Sequence, residues 1–185
     1  MRLYALCDAD TLMAKGADIN AFVNRANALG AEVIQYRNKH ADIAAIKADL
    51  IVLRRLWDGF LIVNDHYELA PFCDGVHIGQ EDLYAIDPDP LKALKILRLS
   101  IGTDKIVGLS THNEREIAVA NTLDLNYVGL GAYRATPTKS DAKVLGERLD
   151  AIAALSRHPV AAIGGVRPDD TFQNVTYHVI GSAIL

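Results

Sequence analysis

The sequence predicts an α/β fold, a compact eight-stranded parallel (β/α)8 TIM barrel whose last outer helix is missing or truncated. Three observations carry that expectation. Short β-branched apolar runs alternate with helical patterns of about ten residues, the signature of a parallel sheet with crossover helices. The runs are near-continuously apolar, as strands buried on both faces are. Eight such runs occur, and the sequence stops at Leu185, just after the eighth. An open doubly wound sheet is the alternative fold.

The elements follow in order. Leu3–Leu6 is the first strand, and apolar residues at three-to-four spacing mark a helix over Ile19–Leu29. Val33–Tyr36 leads to a second helix, Ile43–Leu56. Phe60–Val63 and Gly75–Ile78 are strands three and four, and Pro90–Leu99 reads as a short helix opened by proline. Ile106–Leu109 precedes a helix over Asn113–Thr122, and Tyr127–Leu130 precedes one over Val144–Leu155. Val160–Ile163 and Tyr177–Ile180 complete the set, with Pro168–Val175 as another short proline-opened helix.

At 185 residues and 20.1 kDa, half of them hydrophobic, the chain suits one domain, 1–185, although a typical barrel of this kind needs ~250 residues. The formal charge of -4, with scattered basic residues and no aromatic stripe, argues against nucleic acid as a partner. No run reaches the ~20 apolar residues of a membrane span, and Asp8 and Asp10 interrupt the start where a signal peptide would stay apolar. A cytoplasmic location and no membrane partner are expected. Cys7 and Cys73 lack metal-ligand or C-x-x-C spacing and read as reduced, buried thiols.

In parallel architectures ligand sites gather at the carboxyl ends of strands, and here every such end after the first strand is polar or glycine-rich. Gly164-Gly165 and Gly181-Ser182 sit where phosphate sites recur, with backbone amides as donors, although glycines also simply make tight turns. Arg37, Lys39 and Lys139 form a second anion site suited to a diphosphate, and Ser110, Thr136 and Thr138 add hydroxyl donors. Asn64-Asp65 and Gln80-Glu81-Asp82 then place carboxylates on an anion-binding rim. A Mg2+ ion held by Asp65 and Asp82 resolves that conflict, since Mg2+ is usually bound through one or two carboxylates plus substrate phosphates. The plainer reading is that either aspartate caps the next helix.

Taken in order, "IQYRNK", "IVNDHYELA", "DGVHIGQED", "VGLSTHNEREI", "NYVGLGAYRATPTKSD", "AAIGGV" and "VIGSAI" resemble the thiamine phosphate synthase (thiamine-phosphate pyrophosphorylase) family over essentially the whole chain. The resemblance implies a barrel enzyme joining 4-amino-5-hydroxymethyl-2-methylpyrimidine diphosphate to 4-methyl-5-(2-phosphoethyl)thiazole, with release of pyrophosphate. It implies Asp65 and Asp82 as Mg2+ ligands, and Arg37, Lys39, Asn64, Ser110 and Lys139 as diphosphate contacts. Gln35 would touch the pyrimidine side, Thr136 and Thr138 belong to the covering loop, and Gly165 with Ser182 to the thiazole phosphate site. Catalysis would rest on Arg37, Lys39, Ser110 and Lys139.

The chain departs from the family pattern at Asn38, where glutamate is usual, at Ala132-Tyr133, where a proline-aromatic pair is usual, and in the shortened approach to strand eight, "NVTYHVIGS". Two alternatives stand beside the synthase: a thiazole tautomerase using His112, and a non-catalytic thiamine-phosphate-binding relative. A homodimer is expected, because a missing last helix would expose apolar surface on strands eight and one.

Overall fold

The computed structural model describes residues 2–135 and 144–185. Eight parallel strands close into a barrel in sequence order: β1 Arg2–Asp8, β2 Ala31–Arg37, β3 Phe60–Asn64, β4 Gly75–Ile78, β5 Ile106–Thr111, β6 Tyr127–Leu130, β7 Val160–Ala162 and β8 Tyr177–Ile180. β8 pairs with β1, with Leu3 opposite His178, which closes the ring and leaves no sheet edge. The TIM barrel is thus the observed fold, and the open sheet is not.

The helices are α1 Ala9–Lys15, α2 Ile19–Ala28, α3 Ile43–Leu56, α4 Gln80–Ile86, α5 Pro90–Ile101, α6 Glu114–Ala120 and α7 Arg148–Ala153. Side chains start most of them. Asp8, Asp18, Asp42 and Asn113 accept the N–H of Thr11, Ala21, Ala45 and Glu116, satisfying one donor that each helix start leaves unpaired. Between β3 and β4 the crossover is a 3-10 helix, Tyr67–Phe72, with Pro71 inside it.

Period-two alternation divides the side chains of each strand. One set, including Ile34, Leu61, Val76, Leu109 and Val128, is buried against Phe22, Leu50, Leu97 and Ile117 of the helices. The other fills the barrel interior, where Tyr4, Val33, Ile62, Tyr127, Ala161 and Val179 form a separate cluster. Glycines make room for the large interior rings. A Cβ on Gly108 would stand 2.1 Å from the Tyr127 ring, and one on Gly129 would stand 3.0 Å from His77.

Two short helices, α1 and α4, were not expected, and one expected helix is absent. Residues 168–175 are turn and loop, because their backbone is held by side chains instead of a helical ladder. Asp170 accepts the Arg167 N–H at 2.7 Å, and Asp150 Oδ1 accepts the N–H groups of Gln173 and Asn174 at 3.0 and 2.9 Å. Helix α7 is also shorter than the expected Val144–Leu155.

After β8 a 3-10 helix, Ser182–Ile184, packs on α2. Ile184 is buried, and its carbonyl accepts Arg25 Nε at 3.3 Å. The apolar surface expected on β8 and β1 is therefore not what this seam presents. The exposed large apolar side chains lie elsewhere, with Met13, Leu91, Leu99 and Leu155 each more than half exposed.

The interior packing makes Gly108→Ala a specific test. The added methyl overlaps the Tyr127 ring, so urea unfolding should show a loss of ~1–3 kcal/mol. An unchanged midpoint would mean that the ring is not held where the barrel places it.

Candidate active site

Side chains from the first six strands, reaching from the barrel interior to the carboxyl ends, share one network. On β1 the Tyr4 hydroxyl donates to Gln35 Oε1 of β2 at 2.9 Å, and Gln35 Nε2 donates to Asn64 Oδ1 of β3 at 2.7 Å. Asn64 Nδ2 donates to Asp65 Oδ2 at 2.6 Å. In the other direction the Tyr4 and Tyr127 hydroxyls are 2.8 Å apart, and Tyr127 meets His77 Nδ1 at 2.9 Å. His77 Nε2 meets Ser110 Oγ at 2.9 Å. Gln80 of α4 donates to the Ser110 carbonyl at 2.6 Å, tying the next helix to the end of β5.

Burial sets the charge state of this network. His77, with no charged partner, is pushed down to about 4 by desolvation, so its ring is neutral at ordinary pH. Burial also drives the Tyr4 and Tyr127 hydroxyls well above the usual phenol range, first by desolvation and, for Tyr4, also by its neighbour Tyr127. The barrel floor is thus polar and uncharged.

Charge sits on the rim. Asp65 has φ 63, the only non-glycine in the left-handed region among the described residues, a conformation that Asp tolerates at a cost of ~1–3 kcal/mol. Burial raises its carboxyl, and the neighbouring Asp82 raises it further, against a smaller opposing pull from Arg37. The Asp65 and Asp82 carboxyls therefore lie close enough to interact. Asp82 also accepts the Gly79 N–H at 3.1 Å, so the capping reading holds for it at the same time. Among the described residues no group of three or more His, Cys, Asp or Glu side chains stands together.

Arg37 is fixed on the rim by Asp8. Its Nη1 donates to Asp8 Oδ2 at 2.6 Å, while Asp8 Oδ1 caps α1 by accepting Thr11 N and Oγ1 at 3.0 and 2.9 Å. Lys39 is exposed in the loop that follows β2. Gly164 and Gly165 have φ 87 and 66, and a Cβ on Gly164 would meet Ala132 at 2.5 Å, so these glycines are required by their backbone and by the close approach of the loop after β6. Arg134 fastens that approach, reaching the Gly165 carbonyl at 2.7 Å and both Asp170 oxygens at 2.6 and 2.7 Å. Asp170 is held low by this guanidinium. Ser182 begins the 3-10 helix after β8 and is exposed. Thr136, Thr138 and Lys139 lie outside the described residues.

His112 follows β5, as expected, and its Nδ1 and backbone N–H both face Glu116 Oε2, at 2.9 and 2.8 Å. Four residues of the site were not anticipated: Tyr4, Tyr127, His77 and Asp8. A signal for His77 and Tyr127 was present, in a bulky side chain whose strand parity matches glycines on adjacent strands.

The family model described as thiamine monophosphate synthase matches residues 3–185. The chain belongs to the thiamine monophosphate synthase family. Within it, a thiamine-phosphate synthase of Persephonella marina is 35% identical over 172 residues, covering 90% of this chain and 77% of the relative. One from Vibrio campbellii is 32% identical over 191 residues, covering 100% and 88%. The solved structure of a thiamine phosphate pyrophosphorylase from Pyrococcus furiosus superposes with TM-score 0.76 at 27% identity, over 98% of this chain and 86% of that one. Tryptophan synthase from the same organism, 11% identical with TM-score 0.63, shares the fold alone.

In this member of the family the neutral histidine has a measurable consequence. An unfolded histidine titrates near 6.5, so between pH 6.5 and about 4 the unfolded chain binds a proton that the folded chain does not. Stability contributed by His77 is complete above 6.5 and is lost as the pH falls through that window, by up to roughly 3 kcal/mol. Urea unfolding at pH 7 and 4.5 should show a smaller acid loss for His77→Gln than for the parent; equal losses would place the acid sensitivity elsewhere.

Proposed function

We propose that this chain is a Mg2+-dependent transferase that joins 4-amino-5-hydroxymethyl-2-methylpyrimidine diphosphate to 4-methyl-5-(2-phosphoethyl)thiazole, forming thiamine phosphate and releasing pyrophosphate. The observation that carries this reading is the convergence of Asp65, strained and raised by its neighbour, with Asp82, beside a rim that also holds Arg37. Two adjacent carboxylates, with no third acidic or imidazole ligand beside them among the described residues, fit Mg2+, which retains waters and takes substrate phosphates as its remaining ligands. Bound there, the ion would offset the charge that develops on the departing diphosphate.

The rest of the work falls to the chain's own side chains. In the reaction the carbon–oxygen bond to diphosphate breaks with its electron pair leaving on oxygen, and the thiazole nitrogen lone pair forms the new carbon–nitrogen bond. No proton need move in that exchange, so the residues act by positioning and by electrostatics. Arg37, preset by Asp8, binds the diphosphate with Lys39, Asn64, Ser110 and Lys139. Gln35 faces the pyrimidine, Thr136 and Thr138 cover the substrates, and Gly165 with Ser182 receives the thiazole phosphate. The uncharged floor beneath them supplies the low dielectric in which such contacts are strongest. The reading includes a cytoplasmic location and a homodimer; light scattering at micromolar concentration that returned 20.1 kDa would count against the dimer.

Isomerisation of the thiazole phosphate by His112 is the second reading, and the His112–Glu116 pair is the observation in its favour. The two separate cleanly by assay. Mixing both substrates with Mg2+ and following thiamine phosphate by mass should show turnover that falls at least about a hundredfold in Asp82→Ala. Turnover independent of Asp82, or conversion of thiazole tautomers sensitive to His112→Ala with no coupling, would reverse the assignment.

Asp8→Asn tests the setting of Arg37. The amide keeps an oxygen for the α1 cap but turns N–H groups toward the guanidinium, so KM for the pyrimidine diphosphate should rise about tenfold while KM for the thiazole stays put. Equal changes in both would show that Asp8 serves the fold alone.

A further inference from the structure

Arg134 has no part in the chemistry proposed above, yet three of its five N–H donors are committed to protein acceptors. Nη1 reaches the Gly165 carbonyl and Asp170 Oδ2, both at 2.7 Å, and Nη2 reaches Asp170 Oδ1 at 2.6 Å. The guanidinium also lies over the Tyr133 ring, 4.3 Å from its centroid, and that ring meets Phe172 edge-on at 5.0 Å. Asp170 in turn accepts the Arg167 N–H at 2.7 Å. One carboxylate and one guanidinium thus join the turn after β7 to the loop after β6.

The backbone shows what this junction does. The N–H groups of Tyr133 and Arg134 donate to the carbonyls of Ile163 and Gly164 at 2.9 and 2.7 Å. Gly164 and Gly165 therefore both turn their carbonyls toward the loop after β6, one to a backbone N–H and the other to the guanidinium. In a trans peptide the N–H points opposite to the C=O, so the N–H groups of Gly165 and Val166 point away from that loop. Among the described residues neither has an acceptor. Two consecutive unpaired amides in a turn of positive φ form a concavity suited to an anion.

We propose that Arg134 and Asp170 are positioning residues for the phosphate of the thiazole substrate: the guanidinium holds the Gly165 carbonyl on one side of the turn, which presents the Gly165 and Val166 N–H groups to the phosphate on the other. The inference rests on the proposed function, which puts that phosphate at Gly165. Arg134 does not touch it, since the guanidinium binds the opposite side of the peptide and is paired with Asp170. Glycines leave a turn free to rotate its peptides, and a flipped peptide after Gly165 would set a carbonyl oxygen against the phosphate. Holding that carbonyl holds the site.

The test compares calorimetric Kd values for 4-methyl-5-(2-phosphoethyl)thiazole and for its alcohol without the phosphate, with Mg2+ and inorganic pyrophosphate present. Arg134→Ala combined with Asp170→Ala removes the pair without changing the net charge, so no stranded charge acts on the ligand. The double variant should bind the phosphate compound about tenfold more weakly and the alcohol less than about twofold more weakly. Equal losses on both compounds would show that the pair serves the fold alone, and an unchanged Kd for the phosphate compound would show that the turn holds itself; either overturns the inference. Asp170→Ala by itself separates positioning from contact. Weaker binding of the phosphate compound is expected, because the guanidinium loses its anchor; tighter binding would show a freed Arg134 reaching the phosphate, and that result or no change overturns the positioning role. Should the double variant fail to fold, Asp170→Ala carries the test with the same two compounds. A parent that binds neither compound would overturn the proposed function and this inference with it, whereas a parent that binds while the pair proves indifferent overturns the inference alone.

Discussion

A polar group inside a closed parallel barrel is cut off from bulk water except at the ends, and it must find its partner on another strand or destabilise the fold. In this protein that requirement is met by one hydrogen-bonded chain across six strands, and the site depends on it. Asn64 stands beside Asp65 because Gln35 holds it, and Gln35 is held by Tyr4. Ser110 is placed by His77, and His77 by Tyr127. The tyrosines also do the work of apolar filler, meeting edge-on with ring centroids 5.8 Å apart. Gly108 is what allows it, since any Cβ there would occupy the Tyr127 ring.

Beneath the rim the floor is neutral, and this separation has an electrostatic reason. A protonated His77 would be a buried cation without a counterion, and desolvation forbids it. The carboxylates and Arg37 are kept at the strand ends, where solvent and ligands share their field. Asp65 marks the boundary. It receives the last hydrogen bond of the neutral chain, carries a left-handed backbone, and feels the charge of Asp82. Strain and repulsion at one residue are what a site shows when its ligand supplies the missing favourable term.

The eight strands were legible in the sequence because double burial makes them continuous apolar runs that need no phase to be recognised. Helices α1 and α4, at seven residues each, carry too few turns to display a period, and residues 168–175 look helical only through Pro168, while Asp150 and Asp170 hold their backbone otherwise. Of the candidate site, the polar residues at strand ends were readable: Gln35, Arg37, Asn64, Asp65, Asp82 and Ser110 do come to one end of the barrel. Tyr4, Tyr127 and His77 were not, because they sit within runs scored as apolar and act through their polar tips. Their role appears only once parity and strand order place them against Gln35, Ser110 and the glycines. Asp8 was hidden differently, having been read as an interruption of an apolar amino terminus.

That residue shows how fold and site share parts here. A seven-residue helix such as α1 is marginal by itself, and its start depends on Asp8 accepting from Thr11. The second oxygen of the same carboxylate fixes Arg37 on the neighbouring strand, where the two residues are register partners. A carboxylate that is only 3% exposed is unfavourable unless paired, so neither contact is dispensable to the other. Folding of the first strand–helix corner therefore delivers the rim cation in place, with no search left to the arginine side chain. What the network does for Ser110 from below, Asp8 does for Arg37 from the side: each functional group is oriented by a buried partner before a substrate arrives.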